Sequence, residues 1–202
     1  MLTQEEVVRQ LEDFILAERG LLSVGNIPFE HNGKVERGYP YIRASNASLL
    51  NAFRTIEGVT GKPLNQVRFL EVGCGLGTKC ELARQAGMTA TGIDLLTEYV
   101  NLARQLYPLC AFEQANALEY NYGCFDVVYY HVPFFGEELV RELEKRLLEQ
   151  LQCGSMLIVT RISDWLAEGF ETKGGGIYFQ RIATDVDVGR LTLLCKLHDS
   201  DN

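Results

Sequence analysis

The stretch Arg68–Ala83, RFLEVGCGLGTKCELA, decides the fold. Val67–Val72 is an apolar run of strand length. Glycines then stand at 73, 75 and 77, and a helical pattern starts at Thr78. That helix runs to Ala86, with Thr78 and Glu81 as a capping box and Gly87 as its stop. A strand, a glycine turn and a helix N-terminus in succession make a turn that a ligand can approach closely, because glycine tolerates the sharp backbone and leaves no side chain in the way.

The same alternation continues downstream. TATGID (89–94) reads as a strand, and Thr97–Tyr107 as a helix closed by Pro108. CAFEQANA (110–117) and FDVVYYHV (125–132) are the next strands, the latter apolar enough for burial on both faces. Gly136–Leu151 is a helix with Leu139, Val140, Leu143, Leu147 and Leu151 inward and Glu142 paired with Arg146 outward. SMLIVTRI (155–162) is a fifth strand. IYFQRIA (177–183) and RLTLLCKL (190–197) follow with no helix between them, so Thr184–Gly189 reads as a hairpin connection and one of the last two strands runs antiparallel. The fold class is therefore α/β, doubly wound, with a mostly parallel seven-stranded sheet and one antiparallel strand near the C-terminus.

Upstream lies a helical extension. Thr3–Arg19 is a helix with a Thr3/Glu6 capping box, an inward stripe of Val7, Leu11, Phe14 and Ile15, and Gly20 behind it. Residues 21–43 read as irregular. Ser45–Glu57 is a second helix with Leu49, Phe53 and Ile56 on one face and Gly58 after it. The expected organisation is a single domain over 1–202, with an extension or lid at 1–60 and a core at 67–197.

The chain has 202 residues and a formal charge of −8, which works against phosphate-backbone binding. No apolar stretch approaches the roughly 20 residues of a membrane span. The acidic, amphipathic start is neither a signal nor a transit peptide, so a cytoplasmic protein is expected. The six cysteines form no CxxC pair and no metal-ligand spacing with the three histidines, so reduced thiols and no metal site are expected.

A dinucleotide site asks for G-x-G-x-x-G, and here the third glycine position is Thr78. The observed spacing, Glu71 to Gly77, is E-x-G-x-G-x-G. It resembles the first motif of class I S-adenosylmethionine-dependent methyltransferases, whose fold is Rossmann-like and whose cofactor carries no phosphate. That resemblance extends over roughly Val67–Leu197. It implies cofactor contacts from Glu71, Gly73, Cys74, Gly75 and Gly77. It implies that Asp94, followed by Leu95, takes the ribose hydroxyls, a role suited to a carboxylate that accepts from both at once. Asn116 and Ala117 then stand beside the adenine. The fourth strand ends at the reacting methyl, which places YYHVPF (129–134) there and makes His131 the candidate base, since imidazole exchanges a proton near neutral pH.

Pro133, Phe134 and Phe135 are candidate walls of an acceptor pocket. RGYPYIRAS (37–45) is a candidate lid, with Tyr39, Tyr41 and Arg43 as contacts. The expected activity is methyl transfer from S-adenosylmethionine to an unidentified acceptor, a small molecule ahead of protein or nucleic acid. The rivals are a non-catalytic S-adenosylmethionine-binding module or partner subunit and a nicotinamide-dependent oxidoreductase, the latter opposed by Thr78.

Overall fold

The computed structural model describes residues 4–18, 27–38, 42, 44–160, 179–182 and 191–196. The elements in chain order are α1 (Gln4–Glu18), β1 (Ile27–His31), β2 (Lys34–Gly38), α2 (Asn46–Thr60), β3 (Arg68–Val72), α3 (Thr78–Gln85), β4 (Thr89–Asp94), α4 (Thr97–Leu106), β5 (Ala111–Gln114), β6 (Val127–Tyr130), α5 (Glu137–Gln150), β7 (Met156–Val159), β8 (Phe179–Ile182) and β9 (Thr192–Lys196). Among the described residues no helix is long and apolar enough to cross a membrane.

The central sheet has the order β5-β4-β3-β6-β7-β9-β8. β3 pairs in parallel with β4 on one side and β6 on the other. β9 runs antiparallel to both β7 and β8, so it is the one reversed strand near the C-terminus. The chain winds outward from β3 to β5, then returns to β6 on the opposite side. That reversal opens a crevice above the carboxyl ends of β3 and β6, where open α/β sheets bind ligands.

Alternate residues of the strands fill two cores. Phe69, Tyr129, Ile158 and Leu193 face α2 and α3 with Leu49, Phe53 and Ile56. Leu70, Val128, Leu157 and Leu194 face the other way, onto Leu139, Leu143 and Leu147 of α5. All four residues of β6 and of β7 are buried, as continuous apolar strands covered on both faces require.

Several local expectations give way to longer-range contacts. Residues 27–38 are a hairpin, not irregular chain. Asn32 (φ 51°) and Gly33 (φ 73°) form its tip, both in the left-handed region that a two-residue hairpin turn needs. The hairpin docks on α5 through His31, whose Nε2 lies 2.9 and 3.0 Å from the Glu142 carboxylate oxygens. Glu142 is thereby diverted from Arg146, which donates to the Tyr120 carbonyl.

The stripe expected to face inward from α1 faces solvent: Val7, Leu11 and Phe14 are 50%, 57% and 62% exposed. Glu12 and Leu16 are buried instead. Leu16 joins Leu76, Tyr99 and Leu102 in a third apolar cluster, with Ile15 packed against it. Thr78 makes no capping box. Gly77 is the N-cap, the Thr78 hydroxyl donates to Glu12 at 2.6 Å, and Glu81 accepts from Arg84. α2 runs through Gly58 and stops at Gly61, which is left-handed, with Ser45 as its N-cap. Thr3, Gly20, Tyr39, Tyr41, Arg43 and the Thr184–Gly189 connection lie outside the described residues.

A candidate active site at the carboxyl end of the sheet

β3 ends at Val72 and the chain turns through Gly73, Gly75 and Gly77, with φ of 73°, 50° and 78°. All three sit where an L-side chain is strained. Gly77 has a second constraint, since a Cβ there would lie 2.5 Å from the Phe112 ring. The N–H groups of Gly73 and Cys74 both reach the Ile93 carbonyl at 2.9 Å, and Gly77 N–H closes on the Cys74 carbonyl at 2.8 Å. The loop is thus stitched to the end of β4.

Asp94 completes the stitching. Its two carboxylate oxygens accept from Gly75 N–H and Leu96 N–H, each at 2.9 Å. Burial pushes this carboxyl up, while the N–H bonds from Leu96, Gly75 and Leu95 pull the other way. Each carboxylate oxygen has two lone pairs, so acceptor capacity remains for a ligand.

Glu71 is 5% exposed and accepts from the Cys80 N–H at 3.2 Å and the Cys80 thiol at 3.3 Å. Burial pushes its carboxyl up to about 8, against the pull of Lys79 and the Cys80 bonds and with the push of Asp94. The Cys74 and Cys80 thiols are held well above their ordinary range by burial, which makes them inert. None of the six cysteines is in a disulfide.

The pocket over the switch point gathers Glu71, Gly73, Cys74 and Gly75 from the first loop, Asp94 and Leu95 from the second, Asn116 and Ala117 from the third, and His131 from the fourth. Gly77, expected with them, instead turns the chain into α3 and packs on Phe112. Asn116 folds its amide oxygen onto Leu118 N–H at 3.0 Å. His131 follows β6 directly, and its Nδ1 lies 2.5 Å from the Thr160 hydroxyl just past β7. Val132 has φ 45°, a rare conformation for a β-branched residue before proline. It swings Pro133 and Phe134 into the wall, whereas Phe135 is 59% exposed and lies outside the lining.

Sequence reasoning missed Phe29, Thr78, Lys79 and Tyr99, all in the lining. Phe29 comes from the hairpin, with its ring centroid 6.0 Å from that of Phe134. The dipeptide Asn32-Gly33 between FEH and KVE was the signal that could have found it.

Glu71 and Asp94 put two buried carboxyl groups, and Lys79 an ammonium, around the glycine loop. Residues 69–153 match the methyltransferase domain family model. Over 80 residues the chain is 34% identical to the mitochondrial ubiquinone biosynthesis O-methyltransferase of Rattus norvegicus, a match spanning 34% of this chain and only 23% of that protein. An RNA methyltransferase from Salinibacter ruber, solved with S-adenosyl-L-homocysteine, superposes with a TM-score of 0.54 at 15% identity, covering 80% of this chain and 96% of its own. A ribosomal protein L11 methylase from Lactobacillus delbrueckii subsp. bulgaricus gives 0.53 at 19% identity, covering 76% and 81%. Residues 69–153 match a methyltransferase domain, and the chain shares the Rossmann-like α/β fold of these solved methyltransferases.

Proposed function

We propose that this protein transfers a methyl group from S-adenosylmethionine to a small-molecule acceptor, with His131 as general base. The observation that carries this reading is the convergence of Glu71, Asp94, Asn116 and His131 on one pocket at the switch point of the sheet. When bound, S-adenosylmethionine supplies an electrophilic methyl on its sulfonium. Asp94 holds the ribose hydroxyls, and Asn116 and Ala117 flank the adenine. Asp94 favours the positive charge of that cofactor over a dinucleotide's phosphates.

The protein's remaining work is positioning and proton removal. The Thr160 hydroxyl fixes the His131 ring at the mouth of β6. From there the imidazole takes the proton of an acceptor hydroxyl or amine as that atom attacks. Phe29, Pro133 and Phe134 form the apolar wall beside it. The extension at 1–60 adds Phe29 to that wall, while the core at 67–197 supplies Pro133 and Phe134 and holds the cofactor. A small acceptor fits this wall better than a nucleic acid does, given the net charge of −8.

The test is a His131→Asn variant assayed with labelled cofactor against acceptors found by screening small molecules. Affinity for S-adenosylhomocysteine should stay within a fewfold, and turnover should fall by roughly 10²–10⁴. Normal turnover would remove His131 as the base. Loss of cofactor binding together with turnover would make it part of the cofactor site.

A further inference from the structure

The amino end of the sheet, opposite the pocket over β3 and β6, carries two cysteines that form no part of that site. Cys153 lies in the turn between α5 and β7 and is exposed, and Cys195 lies near the end of β9 and is half-buried. The register brings them together. β7 and β9 run antiparallel with Met156 opposite Cys195, and Gly154 N–H closes the turn on the Lys196 carbonyl at 2.8 Å. Both thiols donate to that same carbonyl oxygen, Cys153 Sγ at 3.8 Å and Cys195 Sγ at 3.7 Å. Both also line one groove of about 420 Å³, together with Lys62, Arg68 and Asp126. Cys74, Cys80 and Cys110, by contrast, are buried.

We propose that Cys153 and Cys195 form an oxidation site, where a hydroperoxide entering the groove converts the pair to a disulfide that staples the turn before β7 to the end of β9. Cys153 reacts first because it is the exposed sulfur. It attacks hydrogen peroxide, an S–O bond forms, the O–O bond breaks, and water leaves with the thiol proton to give a sulfenic acid. The Cys195 sulfur then attacks the Cys153 sulfur, the S–S bond forms, and the hydroxyl departs with the second thiol proton as water. The two thiols give up two electrons in all, and the peroxide becomes two waters. Burial and the neighbouring charge of Cys153 push the Cys195 thiol up, which keeps it protonated and leaves the first attack to Cys153. The bridge closes a loop of roughly forty residues, and such a closure stabilises mainly by restricting the unfolded chain.

The test treats the full chain, first reduced and desalted, with hydrogen peroxide. Remaining thiols are then blocked with N-ethylmaleimide and the tryptic peptides mapped by mass spectrometry. Cys153 and Cys195 fall in separate peptides, 147–161 and 191–196. The expected product joins those two peptides within one chain on a non-reducing gel. Its melting temperature should stand about 5–10 °C above that of the reduced protein, and dithiothreitol should undo the rise. Cys153→Ser and Cys195→Ser should each lose both the cross-link and the rise, whereas Cys124→Ser, at the other exposed cysteine, should keep both. Cys153 driven on to sulfinic or sulfonic acid while Cys195 still takes the maleimide would overturn the proposal, because it marks two isolated thiols. So would a cross-link from Cys153 to Cys124, a cross-link between two chains, or recovery of both thiols in reduced form.

Discussion

The two ends of the central sheet treat their carboxylates in opposite ways. At the amino end, Asp126 precedes β6 and accepts from Lys62 at 2.8 Å, and from the backbone N–H and guanidinium of Arg68 at 2.8 and 3.0 Å. Burial pushes that carboxyl up, but the bonds from Lys62 and Arg68 outweigh it and hold the group below its ordinary range. At the carboxyl end, burial wins for both Glu71 and Asp94, which sit above theirs. The same side-chain chemistry therefore closes the sheet at one end and leaves a demand for positive charge at the other. An end whose charges are satisfied internally stabilises the fold. An end whose carboxyls are pushed towards neutrality by burial is the candidate site.

The largest expected effect sharpens this contrast through the backbone. Gly75→Val places a branched side chain at φ 50° and against the ligand face of the loop. Binding of S-adenosylhomocysteine should fall below detection, while the backbone itself loses about 1–2 kcal/mol. Normal binding by calorimetry would show that no ligand lies on this loop.

Asp94→Ala comes next. It removes the expected ribose contact together with the acceptor for Gly75 N–H, so affinity should drop roughly ten- to a hundredfold. The melting temperature should also fall, because Leu96 N–H at the start of α4 loses its partner. A variant that binds normally and melts lower would reduce Asp94 to a structural role and break the comparison.

Glu71 offers a pH test. Its folded carboxyl titrates near 8 against an ordinary 4.5, so the native state keeps a proton that the unfolded chain gives up. The linkage sign is then negative: stability declines as pH rises from about 4.5 to about 8, and the decline is complete above that. The slope is at most about 1.4 kcal/mol per pH unit. Chemical denaturation of wild type and Glu71→Gln at pH 5, 6.5 and 8 should show the wild type losing ground to the variant across that window. A difference that stays flat would mean that Glu71 ionises freely in the native state.

The smallest effect lies at the other end. Asp126→Asn should cost about 1 kcal/mol, since Lys62 and Arg68 are 38% and 53% exposed and their pairing is screened by water. The wild-type contribution should fade as pH drops below the ordinary carboxylate range, because this folded pKa is depressed. Cofactor affinity should not change. A change would show that the two ends are coupled through β3 and β6.

How far the sequence could be read follows the same division. The glycine loop, Asp94 and His131 are local statements: a strand, a turn and the next residue fix where each points. The two-core sheet was equally legible, because alternation along β3 and unbroken apolar runs in β6 and β7 need only nearest neighbours. The extension was not. The face that α1 buries is set by Thr78, sixty-six residues away, which draws Glu12 inward and turns Val7, Leu11 and Phe14 to solvent. The docking of His31 on Glu142 spans 111 residues. Lys79 escaped notice because a lysine at the start of a helix reads as solvated, and only the fold brings Ala44 and Asn46 over it.

Val132 carries a consequence for anyone who tries to improve this protein. A β-branched residue at φ 45° stores about 1–2 kcal/mol of backbone strain. A library randomised at that position and sorted for heat resistance alone should return glycine and asparagine, the residues that accept the conformation. Sorting the same library for turnover should keep those residues too, because they hold the turn that aims Pro133 and Phe134 at the pocket. Engineering for shelf life and engineering for catalysis would then pull one codon in the same direction.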